Sequence, residues 1–168
     1  FVMQQITFQE AIKALATQKI TSHEVYFIDL VLLCEMAWAD GTIQVAEREI
    51  IFSYLDHHVN SINRLAGCNA VTHKEARQFL ARFLDERPDI SQLDAIREVF
   101  SAVRLDNKDP EVVENTRTDI LNACLDIAAS SVTKYPYGLK ERFTEEEKEY
   151  YHKLTDLLQR PVLEGSAL

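Results

Sequence analysis

The chain has 168 residues, 46% of them hydrophobic and 27% charged, and a formal net charge of −9. That apolar share excludes a disordered chain, which lacks the surface to offset the entropy of ordering, and three cysteines cannot frame a disulfide-stapled miniprotein. The acidity argues against a nucleic-acid partner: the nearest cationic group, His73, Lys74, Arg77, Arg82 and Arg87, is interrupted by Glu75, Asp85 and Glu86 and reads as a solvated helix face.

Glycine and proline number four each and no stretch alternates polar with apolar, so the expected fold class is all-α. About seven helices are expected, starting near residues 7, 22, 44, 72, 91, 110 and 145. Thr7 with Glu10 opens the first as a capping box, in which hydroxyl and carboxylate each satisfy a free backbone N–H. Phe8, Ala11, Ile12, Leu15 and Ala16 form its apolar face. Thr21 with Glu24 opens the second, which runs through the apolar stretch Val25 to Trp38 as a central core helix. That stretch is shorter than the ~20 residues of a bilayer span, so no direct membrane insertion is expected. Asp29 and Glu35 within it are expected at a wet edge or paired with Arg or Lys. Gly41 ends this helix in the left-handed conformation, and Ile43 staples the start of the next.

From Asn60 to Val71, Gly67 and several asparagines predict a loop or short helical turn. Thr72 with Glu75 then opens a helix with the face Ala76, Phe79, Leu80, Phe83 and Leu84. Ser91 with Asp94 is a looser start, followed by Leu93, Ile96, Val99, Phe100 and Val103. Asp109 before Pro110 places a cap and a preset φ, and Val113, Ile120, Leu121, Cys124, Ile127 and Ala128 follow. Ser130 to Arg142 is a predicted loop because Pro136 bars helix before it. Thr144 with Glu147 opens the last helix, with Tyr150, Tyr151, Leu154, Leu157 and Leu158 on one face. Pro161 to Leu168 reads as a frayed tail.

The run Met36-Ala37-Trp38-Ala39-Asp40-Gly41-Thr42-Ile43-Gln44-Val45-Ala46-Glu47-Arg48-Glu49 resembles the tellurite-resistance TerB-like family, whose pattern is an apolar helix followed by A-x-A-D-G-x-I-x-x-x-E. The same module occurs in membrane-tethered DnaJ-like co-chaperones. The resemblance implies an all-helical bundle of two related helix-turn-helix halves. A worn copy of the motif is present: Phe143-Thr144-Glu145-Glu146-Glu147 repeats Ile43 to Glu47 at an offset of 100 residues, while upstream Ile127-Ala128 matches Met36-Ala37 at an offset of 91, which puts Ser131 at the position of Asp40. A single TerB-like domain over 1–168 is therefore expected. Its first half spans about 7–59, its middle helices about 72–104, and its degenerate second half about 110–159.

The resemblance also implies a divalent-cation site at these turns, with Asp40, Glu47 and Glu147 as ligands for Ca²⁺ or Mg²⁺, hard ions that take oxygen donors. Against it stands a purely structural reading, in which both glutamates are helix caps and Asp40 belongs to the turn. A rival zinc set, Asp56, His57, His58, Cys68 and His73, fits no tight template, and adjacent histidines on a helix point about 100° apart. The histidine pair suits the carboxyl end of a helix, where imidazolium matches the dipole. Cys34 and Cys124 lie in apolar runs and pack as small hydrophobes, so a reducing cytoplasm is the expected location.

Nucleophile, phosphate-loop and dinucleotide motifs are missing. The expectation is a non-enzymatic, stress-associated or adaptor module, with an acidic metal-dependent enzyme or ion sensor as the alternative. The loop residues Tyr135 and Tyr137 have two readings: contact with a protein partner or a second copy, or rings folded back over the last helix near Tyr150 and Tyr151.

Overall fold

The computed structural model describes residues 6–39, 41–130 and 144–159, and all regular structure among them is helical. Seven α-helices follow one another: α1 (Phe8–Thr17), α2 (Ile28–Trp38), α3 (Val45–Ala66), α4 (His73–Leu84), α5 (Ile90–Arg104), α6 (Pro110–Ser130) and α7 (Glu145–Gln159). A 3₁₀ segment, Ser22–Phe27, precedes α2.

The helix starts follow from local chemistry. The Thr7 hydroxyl accepts from the Glu10 N–H at 3.1 Å, and the Thr72 hydroxyl accepts from the Glu75 N–H at 3.0 Å. The Asp109 carboxylate accepts from the Glu111 N–H at 2.9 Å. Thr144 and Glu147 form the reciprocal pair at the start of α7, at 2.9 and 3.1 Å. Each such cap stabilises a helix by about 1 kcal/mol and fixes where it begins.

Four expectations are corrected. The second helix is two pieces, because Lys19 and Ser22 take positive φ (62° and 56°) and the backbone enters Ser22–Phe27 as a tight 3₁₀ turn. Arg82 of α4 pins that turn, donating to the Lys19 carbonyl at 3.0 Å and to Glu24 at 3.3 Å. The third helix does not stop near residue 59 but runs to Ala66, where Gly67 at φ 72° ends it. Asn63, which reads as a breaker, is instead a brace: its amide donates to the Val71 carbonyl at 2.9 Å and accepts from the Val71 N–H at 3.0 Å. The fifth helix begins at Ile90 after Asp89, so Ser91 is not its cap and Asp94 pairs with Arg97. In α1, Ala11 and Leu15 are buried, whereas Phe8 and Ala16 are exposed at the margin of the predicted face.

Apart from Asp29 and Glu35, helix α2 is apolar on all sides, as suits a helix surrounded by others. It packs against α3, α4, α5, α6 and α7, while α1 lies along α5 and α6 joins α3 to α7. Trp38 closes its carboxyl end by donating to the Phe83 carbonyl at 2.8 Å. Among the described residues no helix is long and apolar enough to cross a membrane.

Candidate functional site

Two acidic residues interrupt α2, and α5 answers both. Glu35 meets Arg97, with Nε at 2.9 Å from Oε1. Asp29, two turns earlier and only 1% exposed, is gripped by Arg104, with Nε at 2.7 Å from Oδ1 and Nη2 at 3.3 Å from Oδ2. Burial of a carboxylate is tolerated only with such pairing. The sequence expectation of an Arg or Lys partner is met at both positions.

The Asp29–Arg104 pair floors a cleft of about 620 Å³ bounded by the 3₁₀ segment, α3 and α6. From α3, His58 reaches the same floor. Its Nε2 lies 2.7 Å from the Tyr26 carbonyl and its Nδ1 lies 4.0 Å from Asp29 Oδ2. The Tyr54 ring, one turn back on α3, stacks on the imidazole with centroids 5.7 Å apart and planes 21° apart. Burial lowers the His58 pKa, although Asp29 pulls the other way. The Tyr54 phenol is pushed well up by burial and by the nearby charges of Asp29 and Asp119, so it stays protonated as a hydrogen-bond donor. Tyr26, 42% exposed, and Leu65, 75% exposed, leave apolar surface uncovered along the cleft, beside the exposed polar side chains of His57 and Asp119.

The sequence-derived candidates fall elsewhere or apart. Asp40 lies outside the described residues, as do Tyr135, Tyr137 and the loop that carries them. Glu47 and Glu147 are both buried, at the first turns of α3 and α7. Each accepts from the backbone N–H of its own cap residue, Gln44 at 2.8 Å and Thr144 at 2.9 Å. Among the described residues no three His, Cys, Asp or Glu side chains gather as metal ligands. The zinc-type set disperses: His57 faces Asp119 at 3.7 Å, His73 faces Asp56 at 3.7 Å, Cys68 is exposed, and His58 turns inward. The histidine pair also lies well inside α3 rather than at its end, because the helix continues to Ala66. Cys34 and Cys124 are buried, and burial pushes both thiols far up, so neither is a nucleophile at neutral pH.

Tyr26, Tyr54 and Arg104 of the cleft carry no motif. Asp29 and Arg104 are 75 residues apart in the chain, and only the signal of a lone acid in an apolar helix pointed to one of them. Comparison of the chain with protein-family models, with curated proteins and with solved structures finds no match.

Proposed function

We propose that this protein is a non-enzymatic binding module of TerB-like type, an adaptor that holds a small ligand in the cleft floored by Asp29, Arg104 and His58. The observation that carries this reading is a cleft in which the buried Asp29, paired with Arg104, and the His58 ring lie beside the uncovered apolar surface of Tyr26 and Leu65. Ligand sites characteristically combine apolar walls with a few convergent polar groups, in volumes of roughly 300–1,000 Å³. A binding role also suits the chemistry of the floor. Asp29 is held in the Arg104 fork, the His58 Nε2 is committed to a backbone carbonyl, and Tyr54 stays a phenol. These groups orient a guest rather than attack one.

The test is a thermal-shift screen of small molecules against the protein and its Ser61→Trp variant, which puts a large ring into the cleft from α3. Compounds that raise the melting temperature of the wild type should lose their effect in the variant. Hits that survive the substitution would place the site elsewhere and end this reading.

The second reading is the cation site of Asp40, Glu47 and Glu147. It is favoured by the depth of the two glutamates, 0% and 1% exposed, where the capping residues Glu10 and Glu75 are exposed. Asp40 would have to supply the third carboxylate to a hard ion. Millimolar Ca²⁺ or Mg²⁺ should then raise the melting temperature, and Asp40→Asn should remove most of the rise. An unchanged melting curve rejects it.

A further inference from the structure

The floor of the cleft holds two hydrogen-bond acceptors that face one another. The Tyr26 carbonyl can only accept, so the His58 Nε2 at 2.7 Å carries the ring hydrogen. Because burial disfavours the imidazolium, Nδ1 is left bare and presents a lone pair. That lone pair lies 4.0 Å from Asp29 Oδ2, beyond hydrogen-bond length, and two acceptors do not attract in any case. Asp29 Oδ2 takes one bond from Arg104 at 3.3 Å, and a carboxylate oxygen has capacity for a second.

One heavy atom bearing two hydrogens spans this gap, sitting about 2.8 Å from each acceptor. A hydroxyl has one hydrogen and cannot serve both. An ammonium has enough hydrogens, but Arg104 already neutralises Asp29, so the pair has no net negative charge to offset the cost of desolvating an ammonium. A water molecule meets both conditions, and so does a neutral –NH2 group, which is the guest group that can take such a water's place. The Tyr54 ring on His58 and the exposed Tyr26 ring at the mouth give a flat guest aromatic surface to lie against.

We infer that the cleft takes a neutral, flat molecule whose primary amino or carboxamide group bridges His58 Nδ1 and Asp29 Oδ2. This specifies the ligand class of the binding module proposed above and rests on that reading.

The experiment is calorimetric titration of the full chain with adenosine and nicotinamide as probes. N6,N6-dimethyladenosine and N,N-dimethylnicotinamide, which keep the rings and lose both hydrogens, are the controls. At least one probe should bind, with its dimethylated counterpart weakened tenfold or more. His58→Phe preserves a ring against Tyr54 and removes the acceptor, so it should abolish the preference. Nitrogen NMR of the wild type gives a reading independent of any variant: His58 Nδ1 should show the shift of an unprotonated nitrogen at neutral pH and should move when the probe binds. Equal binding of a probe and its dimethylated form, or a protonated Nδ1, overturns the inference. Failure of both probes, while other compounds bind and lose binding in Ser61→Trp, overturns the donor assignment and leaves the binding module standing. Failure of every compound in the cleft overturns both.

Discussion

Helix α2 is tied to α5 by two ion pairs of the same kind, and the two ends of that contact have different surroundings. At one end Glu35 and Arg97 are each 13% exposed, and α7 closes over them. The Tyr150 ring is buried there, and its hydroxyl donates to the Leu32 carbonyl at 2.8 Å. Arg97 also reaches Asp94 on its own helix. At the other end no described helix packs as α7 does; Asp29, 1% exposed, and Arg104, 18% exposed, instead line the cleft, with His58 and Tyr54 beside them. An acid in a core helix therefore does not by itself mark a site. The same pairing is a clamp where α7 packs beside it, and lines the cleft proposed above as a binding site at the other end.

Breaking each pair in turn should separate the two ends. Arg104→Ala strands Asp29 at 1% exposure, and a charge left alone at that depth costs about 3–5 kcal/mol. Arg97→Ala leaves Glu35 nearer solvent, and the expected loss is about 1–3 kcal/mol. Denaturant unfolding of the two variants measures the difference. Equal losses would mean that the ends are equivalent and that the cleft floor is no more desolvated than the clamp.

The ends should also respond to acid with opposite signs. His58 has its folded pKa below the ordinary 6.5: burial lowers it, with Arg104 on α5 and His57 on α3 adding to the lowering, while Asp29 on α2 and the carbonyl of Tyr26 oppose it. Between those two pKa values the unfolded chain binds a proton that the folded chain refuses, so stability falls as pH drops through 6.5. Glu35 has its folded pKa above the ordinary 4.5, because burial outweighs Arg97 and the Tyr150 hydroxyl. Its contribution is complete below 4.5 and is lost as pH rises through the raised value. Unfolding free energy measured against pH should lose its slope near 6.5 in His58→Phe and keep that slope in Glu35→Gln. A slope that persists in His58→Phe would assign it to other groups.

How much of this was legible in the sequence depends on how far apart the interacting residues lie. Thr7, Thr72, Asp109 and Thr144 announced helix starts because each bonds a backbone N–H two or three residues away. Asn63 misled for the complementary reason: its side chain reaches across to Val71 and braces a helix that its local preference argues against. The divergence of His57 and His58 follows from helical geometry, but which of them faces the core depends on where α2 and the Tyr26 carbonyl lie. The cleft was the least legible feature. Its residues come from helices brought together by the bundle, and no spacing rule connects Asp29 to Arg104.

Smaller effects sharpen the comparison further. Tyr150→Phe keeps the ring that covers the clamp and removes one buried hydrogen bond, for an expected loss of about 1 kcal/mol read from the unfolding midpoint. The same substitution should leave any ligand affinity of the cleft unchanged, since α7 closes the opposite end of the contact. A weakened ligand with an unchanged midpoint would show the two ends to be coupled.

The central claim is that one end of the α2–α5 contact is a binding site and the other is a structural clamp. Amide and imidazole NMR of the wild-type protein during titration with neutral amino- and carboxamide-bearing aromatics tests it most directly. Tyr26, Tyr54, His58 and Arg104 should shift together and saturably, while Glu35, Arg97 and Tyr150 stay in place. Saturable shifts confined to Glu35, Arg97 and Tyr150, or none at the cleft with any compound, would contradict the account.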